Sequence, residues 1–203
     1  LILNPGAEAS TGSTDGSLVQ GPIPDWETSG EANVIQYGAS GGFPQPTDPG
    51  PTDRGMNFFG GGPEDPLSIF TQTIDLSSYR AFIADGNVSF TLSAYLGGYS
   101  SQDDDAVLTV LFLGAEDGGV PDDAAAFTDD GGVVTVGSSV LGSVTIGPVT
   151  AAERQDQTGL LPVMTTGSVP VGTVAAEVQL VMTRYEGSND DGYADNLSLT
   201  IGN

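Results

Sequence analysis

Along this chain apolar residues recur at every second position in short runs, and clusters of Gly, Pro and Asp cut each run off before a helix of useful length can form. In the segment Val88 to Leu96 the positions Phe90, Leu92, Ala94 and Leu96 make one apolar face. Ala176, Val178, Leu180 and Met182 do the same, opposite Glu177, Gln179, Val181 and Thr183. Leu197 to Ile201 alternates cleanly, whereas Ala106 to Phe112 is almost continuously apolar and reads as a strand covered on both sides. Further strands are expected at Asn33–Tyr37, Met56–Phe59, Leu67–Ile74, Val133–Val136 and Val140–Ile146. Turn clusters fall at Gly38–Gly55, Gly60–Pro66, Gly97–Asp105, Ala115–Gly132 and Glu186–Asp195, with a short helix or a loop at Asp122–Phe127. Many short strands joined by such turns predict an all-β antiparallel sandwich, and with no linker or internal repeat we expect one domain over residues 1–203.

Charge narrows the function classes. Lys and Arg total 4 against 27 Asp and Glu, a formal net charge of -23. All the basic residues are scattered arginines, so the counterion release that drives phosphate-backbone binding has no source, and nucleic acid and anionic membrane surfaces are excluded as partners. No apolar run approaches the roughly 18 residues that span a bilayer, so no membrane insertion is expected. Histidine and cysteine are absent, which removes His-based and thiol nucleophiles, thiolate metal sites and disulfides. A metal would have to be held by oxygen, which points to calcium before magnesium. An acid-rich chain that starts at Leu1 is expected to be processed, exported and extracellular.

Three stretches together resemble the calcium-stabilised jelly rolls of the galactose-binding-like and carbohydrate-binding-module superfamily. They are Leu1-Ile2-Leu3-Asn4-Pro5-Gly6-Ala7-Glu8 with the later Ile23-Pro24-Asp25-Trp26, then Gly97 to Asp105, then Arg184 to Asn196 ahead of the last strand. The resemblance implies a jelly roll of the kind found in secreted bacterial proteins, with first and last strands adjacent. It also implies a structural calcium site with Glu8 and Asp195 as side-chain ligands. The residues alone leave another reading open: a solvated strand-end Glu8 and a turn aspartate at 195.

Two further cation sites are weighed. The Asp103-Asp104-Asp105 run offers Asp104 and Asp105, and the turn Asn189-Asp190-Asp191-Gly192 offers Asp191. The run lacks EF-hand spacing and such a run is more often a solvated loop, while Asp-Gly is also an ordinary turn signal. Arg154 and Arg184 are scarce cations, expected to pair with the acidic loops, Arg184 with Asp104 or Asp190, or else to touch a ligand. Sugar binding needs an exposed aromatic face. Trp26 is expected in the core, which leaves Tyr37, Phe43, Tyr95, Tyr99 and Tyr193 as platform candidates, with Tyr95, Tyr99, Tyr193 and Arg184 the chosen ligand-binding set. Two carboxylates suffice for glycoside hydrolysis, but nothing selects a pair among 27 acids, so a non-catalytic module is expected. Its partner would be a glycan or cell-surface polysaccharide. The rival expectation is a self-assembling subunit of a filament or surface layer, with identical subunits joined by calcium and by strand addition of the apolar Leu1–Leu3 end.

Overall fold

The computed structural model describes residues 1–115 and 139–202. Among these residues ten strands are formed: β1 Glu27–Ser29, β2 Asn33–Gln36, β3 Asn57–Gly62, β4 Leu67–Asp75, β5 Ser89–Gly98, β6 Asp105–Gly114, β7 Ser139–Ile146, β8 Gly159–Ser168, β9 Thr173–Thr183 and β10 Asp190–Gly202. A 3-10 turn at Ser77–Tyr79 runs into a single helical turn, α1 Arg80–Ala84. One antiparallel sheet has the order β1-β4-β9-β6-β7 and the other β2-β3-β10-β5-β8. Apart from β6 and β7, which are neighbours in one sheet, strands β3 to β10 alternate between the sheets in the order of a jelly roll of two Greek keys, so the expected all-β sandwich is the fold.

The period-2 faces pack as read. Phe90, Leu92, Ala94 and Leu96 from β5 meet Ala106, Leu108, Val110 and Phe112 from β6 and the Ala176-to-Met182 face of β9 in one core. Trp26 lies in this core, edge-on to Phe59 and Phe70, with Nε1 donating to the Asn4 carbonyl at 3.2 Å. Strand β6 departs from expectation: its inner face is buried, but Val107, Thr109 and Leu111 on the other face are only half-buried. Its continuous apolar character reflects a central position between β9 and β7 rather than a second covering layer.

Strands β1 and β8 were not expected, and β10 starts earlier than expected. Strand β8 contains Pro162, which cannot donate to a ladder, and it is accommodated because β8 forms a sheet edge. The cluster at Glu186–Asp195 is only in part a turn, since β10 already begins at Asp190. A register shift between Asp195 and Ser198, with Asn196 at φ 50°, flips the strand so that Ala194, Leu197 and Leu199 all face inward. The expected strand Val133–Val136 and the helix or loop at Asp122–Phe127 lie outside the described residues.

The N-terminal segment completes its own sandwich. Ile2 joins the core, the Leu1 nitrogen donates to the Leu199 carbonyl at 2.7 Å, and Leu197 N–H donates to the Pro5 carbonyl at 3.0 Å. Gln72 brackets Leu3 from β4, accepting from its N–H and donating to its carbonyl. The side chains of Leu1 and Leu3 remain exposed, at 39% and 59%, while these backbone bonds are made within the chain.

Candidate functional site

Loops at one end of the sandwich gather the acidic residues of the 103–105 run and of the β9–β10 turn into one neighbourhood. Asp104 is buried just before β6. One of its oxygens accepts from the backbone N–H groups of Tyr185 at 2.6 Å and Glu186 at 2.8 Å, the other from Asp191 N–H at 3.0 Å. A charged acceptor with three N–H donors is a strong anchor, so this one carboxylate fixes the course of residues 185–191. Above it, Asp103, Asp104, Asp105, Tyr185, Glu186 and residues 148–151 line a cleft of about 420 Å³. Tyr185, at 64% exposure, is the aromatic residue among those that line it.

Near Asp104 lies Asp190, only 2% exposed. Its Oδ1 accepts from Gly192 N–H at 3.1 Å, while Oδ2 is buried without a partner. The carboxyl sits directly over the Gly61 backbone, where a Cβ would stand 2.1 Å from it. Burial pushes the Asp190 carboxyl up to about 7, and the charges of Asp104, Asp191 and Asp105 add to the rise. Asp191 is raised to about 6, again chiefly by burial, against the opposing hydrogen bond from Tyr193. Asp105, half-buried, is raised by burial and by Asp104.

The two arginines act on carbonyls. Buried Arg154 donates to the carbonyls of Gly98, Ser100 and Gln157 through one terminal nitrogen and to Gln102 through the other, at 2.6–3.1 Å. It therefore ties the β5–β6 loop to the β7–β8 loop and holds one wall of the acidic end. Arg184 donates to the Ser188 carbonyl at 2.6 Å and closes its own turn. The expected pairing with Asp104 or Asp190 gives way to this bond: Asp104 serves three backbone donors and Asp190 accepts from Gly192 N–H.

The aromatic candidates occupy a different face. Tyr193 is fully buried on the outer side of the second sheet against Phe58 and Phe43, its hydroxyl donating to Asp191 at 2.6 Å. It cannot serve as a binding platform, which corrects that expectation. The 38–55 segment folds over this side, with Phe43 on Tyr193, Gly42 against Tyr99 and the Pro49 carbonyl bonded to Leu160 N–H. Tyr37, Tyr95 and Tyr99 flank that small second core and are half-buried. Tyr185 was missed because no periodicity marks an exposed turn aromatic; its place beside an acid-anchored loop is the signal that would have found it.

Glu8 and Asp195 do come together across the sequence. Gly6 lies between them, where an added Cβ would be 3.0 Å from Asp195 Oδ1 and 3.8 Å from Glu8 Cγ. Glu8 accepts from Met56 and Asn57 N–H at 3.1 and 2.9 Å. Asp195, fully buried, accepts from the Tyr37 hydroxyl at 2.7 Å and from Asn196 N–H at 2.7 Å. Its carboxyl is raised to about 6, mainly by burial, and the Glu8 and Asp53 charges contribute. Arg54 lies over the Tyr37 ring at 4.9 Å and donates to the carbonyls of Gln45, Asp48 and Pro51. Hard oxygen donors of the type calcium takes are therefore present. Among the described residues no three acidic side chains converge closely enough to hold a metal, so a cation at Glu8 and Asp195 would need carbonyl and water oxygens as well.

A second cleft, about 590 Å³, is lined by polar and apolar residues of the 9–24 segment and by Gln36, with no aromatic residue among them. Among the described residues no helix is long and apolar enough to cross a membrane.

No family model matches the chain, and no curated protein matches it. Among solved structures, a cyclase from Fischerella sp. TAU in complex with 4-(1H-indol-3-yl)butan-2-one has a TM-score of 0.59 at 14% identity, covering 100% of this chain and 96% of that one. The apo form of a Fischerella sp. cyclase gives 0.58 at 13% identity, covering 100% and 95%. A family 61 carbohydrate-binding module in complex with β-1,4-galactotriose gives 0.47 at 15% identity, covering 97% and 94%. At such identities the likeness to the cyclases is one of fold alone, and the last carries no argument about this chain.

Proposed function

We propose that this chain is an extracellular, non-catalytic β-sandwich module that binds glycan-bearing surfaces through the cleft at Tyr185, with calcium at Glu8 and Asp195 fastening the N-terminal segment to β10. The observation that carries the reading is the exposed Tyr185 ring on a backbone held by Asp104, with Asp103, Asp105 and Glu186 beside it. A tyrosine face takes the C–H side of a sugar ring, and carboxylates accept from its hydroxyls. Because Asp104 has already fixed the loop, little ordering cost remains for binding. The net charge of -23 disfavours anionic glycans, so the ligand is a neutral one. Electrophoresis through gels containing neutral polysaccharides tests this. The wild-type chain is expected to be retarded by at least one of them and Tyr185→Ala to run as in an empty gel. Equal retardation of both would remove the cleft from the account.

A further inference from the structure

Two segments carry the Asn-x-Ser pattern that oligosaccharyl transfer reads, Asn87-Val88-Ser89 and Asn196-Leu197-Ser198. The fold treats them differently. Asn196 is half-buried in the β10 bulge, its side-chain nitrogen donating to Asp53 at 3.0 Å and its backbone N–H to Asp195. The following residue, Leu197, donates to Pro5. Freeing that amide would require unpairing a strand in the middle of its sheet. Asn87 stands exposed in the turn between α1 and β5, after Gly86 at φ 73°, its side-chain nitrogen making a local bond to the Asp85 carbonyl at 3.2 Å that opens without disturbing a strand. Ser89 is exposed too, in the terminal pair of both ladders of β5, opposite Gly202 and Ser168, with its hydroxyl donating to the Gly202 carbonyl at 3.0 Å, and ladders open most readily at such ends. Asp85 lies two positions before the acceptor and is exposed.

The surroundings fit a covering group. Phe82 on α1 is 56% exposed, and Val171, which faces Gly86, is 61% exposed. The turn also lies at the opposite end of β5 from the Tyr185 cleft, a strand length of roughly 30 Å away at about 3.3 Å per residue. A glycan there would shield apolar surface without obstructing the cleft.

We propose that Asn87 is an N-glycosylation acceptor whose donor is an oligosaccharide carried on a polyprenyl diphosphate. Asn87 Nδ2 bonds to the anomeric carbon of the first sugar. The bond from that carbon to the diphosphate oxygen breaks, its electron pair leaves with the lipid diphosphate, and one amide proton passes to a base of the transferase. Such donors are displayed outside the cytosol, so the proposal rests on the extracellular reading for its setting, although its test does not.

The experiment incubates the purified, folded chain with a polyprenyl-diphosphate-linked oligosaccharide and a single-subunit transferase that requires an acidic residue two positions before the acceptor. Peptides are then read by mass spectrometry, with urea-unfolded chain as the control for enzyme activity. The expected result is one glycan per folded chain, on the peptide holding Asn87, absent from Asn87→Gln and Ser89→Ala and reduced at least tenfold in Asp85→Ala. Asn196, with Ala194 two positions before it, stays unmodified by this enzyme whether the chain is folded or unfolded. A folded chain left unmodified while the unfolded one is glycosylated would overturn the proposal, as would equal modification of Asn196 in the folded state. Neither result bears on glycan binding by the cleft, so the two readings fail separately.

Discussion

Tyr37 donates its hydroxyl hydrogen to Asp195 at 2.7 Å, joining the end of β2 to the middle of β10 across 158 positions of sequence. The acceptor is a buried carboxylate raised to about 6, mainly by burial, and the tyrosine bond opposes that rise. Tyr37→Phe should therefore raise the Asp195 carboxyl further and cost about 2 kcal/mol at pH 8, the size of a hydrogen bond to a charged group. At pH 5, where Asp195 is largely protonated in the folded chain, the loss should be smaller. Urea unfolding at the two pH values measures it; an equal loss at both would mean that the bond does not serve the charged form.

Asp190 gives the chain an uncommon pH dependence. With a folded value of about 7 against an ordinary 3.8, it holds its proton more tightly folded than unfolded. The folded state then binds more protons between about pH 4 and pH 7, so stability falls as pH rises through that window. Asp191 and Asp195, both raised to about 6, act in the same direction. The chain should be more stable to urea at pH 5 than at pH 8. Asp190→Asn keeps an acceptor for Gly192 N–H and removes the charge, so its stability should decline less over the same range. A slope identical to wild type would show that Asp190 is not the group responsible.

Arg154 holds four carbonyls from two loops, and no shorter cation can reproduce its fork. Arg154→Lys should cost about 2–4 kcal/mol in chemical unfolding, since buried carbonyls lose their donors. A loss below 1 kcal/mol would place the loops' stability elsewhere.

Calcium at Glu8 and Asp195 predicts a chelator-sensitive melting temperature. Calcium at a hundredfold over its Kd should add about 2.7 kcal/mol, and the gain should vanish in the double variant Glu8→Gln, Asp195→Asn. Calorimetry with calcium and with chelator measures it, and identical melting in both would remove calcium from the account.

The sandwich was legible because period-2 burial is written directly in residues such as Phe90 to Leu96 and Ala176 to Met182, whose inward faces alternate as read. Edge strand β8 was not, because Pro162 breaks the local signature and only its place at the sheet margin makes it tolerable. The nearness of Glu8 to Asp195 came from a resemblance, and the structure brings them to either side of Gly6. The roles of Asp104 and Arg154 were hidden because their partners are backbone groups, which no side-chain pattern records. Tyr193 misled for a related reason: a tyrosine in an acidic, glycine-bearing segment reads as exposed, yet β10 begins three residues before it and the 38–55 segment covers it.

The most direct test of the central claim is a glycan array probed with the wild-type chain, Tyr185→Ala and Asp104→Asn, each confirmed as folded, in calcium at pH 7. The account predicts binding of the wild type to neutral glycans, its loss in Tyr185→Ala, and a roughly tenfold or greater weakening in Asp104→Asn as the 185–191 backbone loses its anchor, about 1.4 kcal/mol. A folded wild-type chain that binds no glycan, or binding that both variants retain, would contradict it.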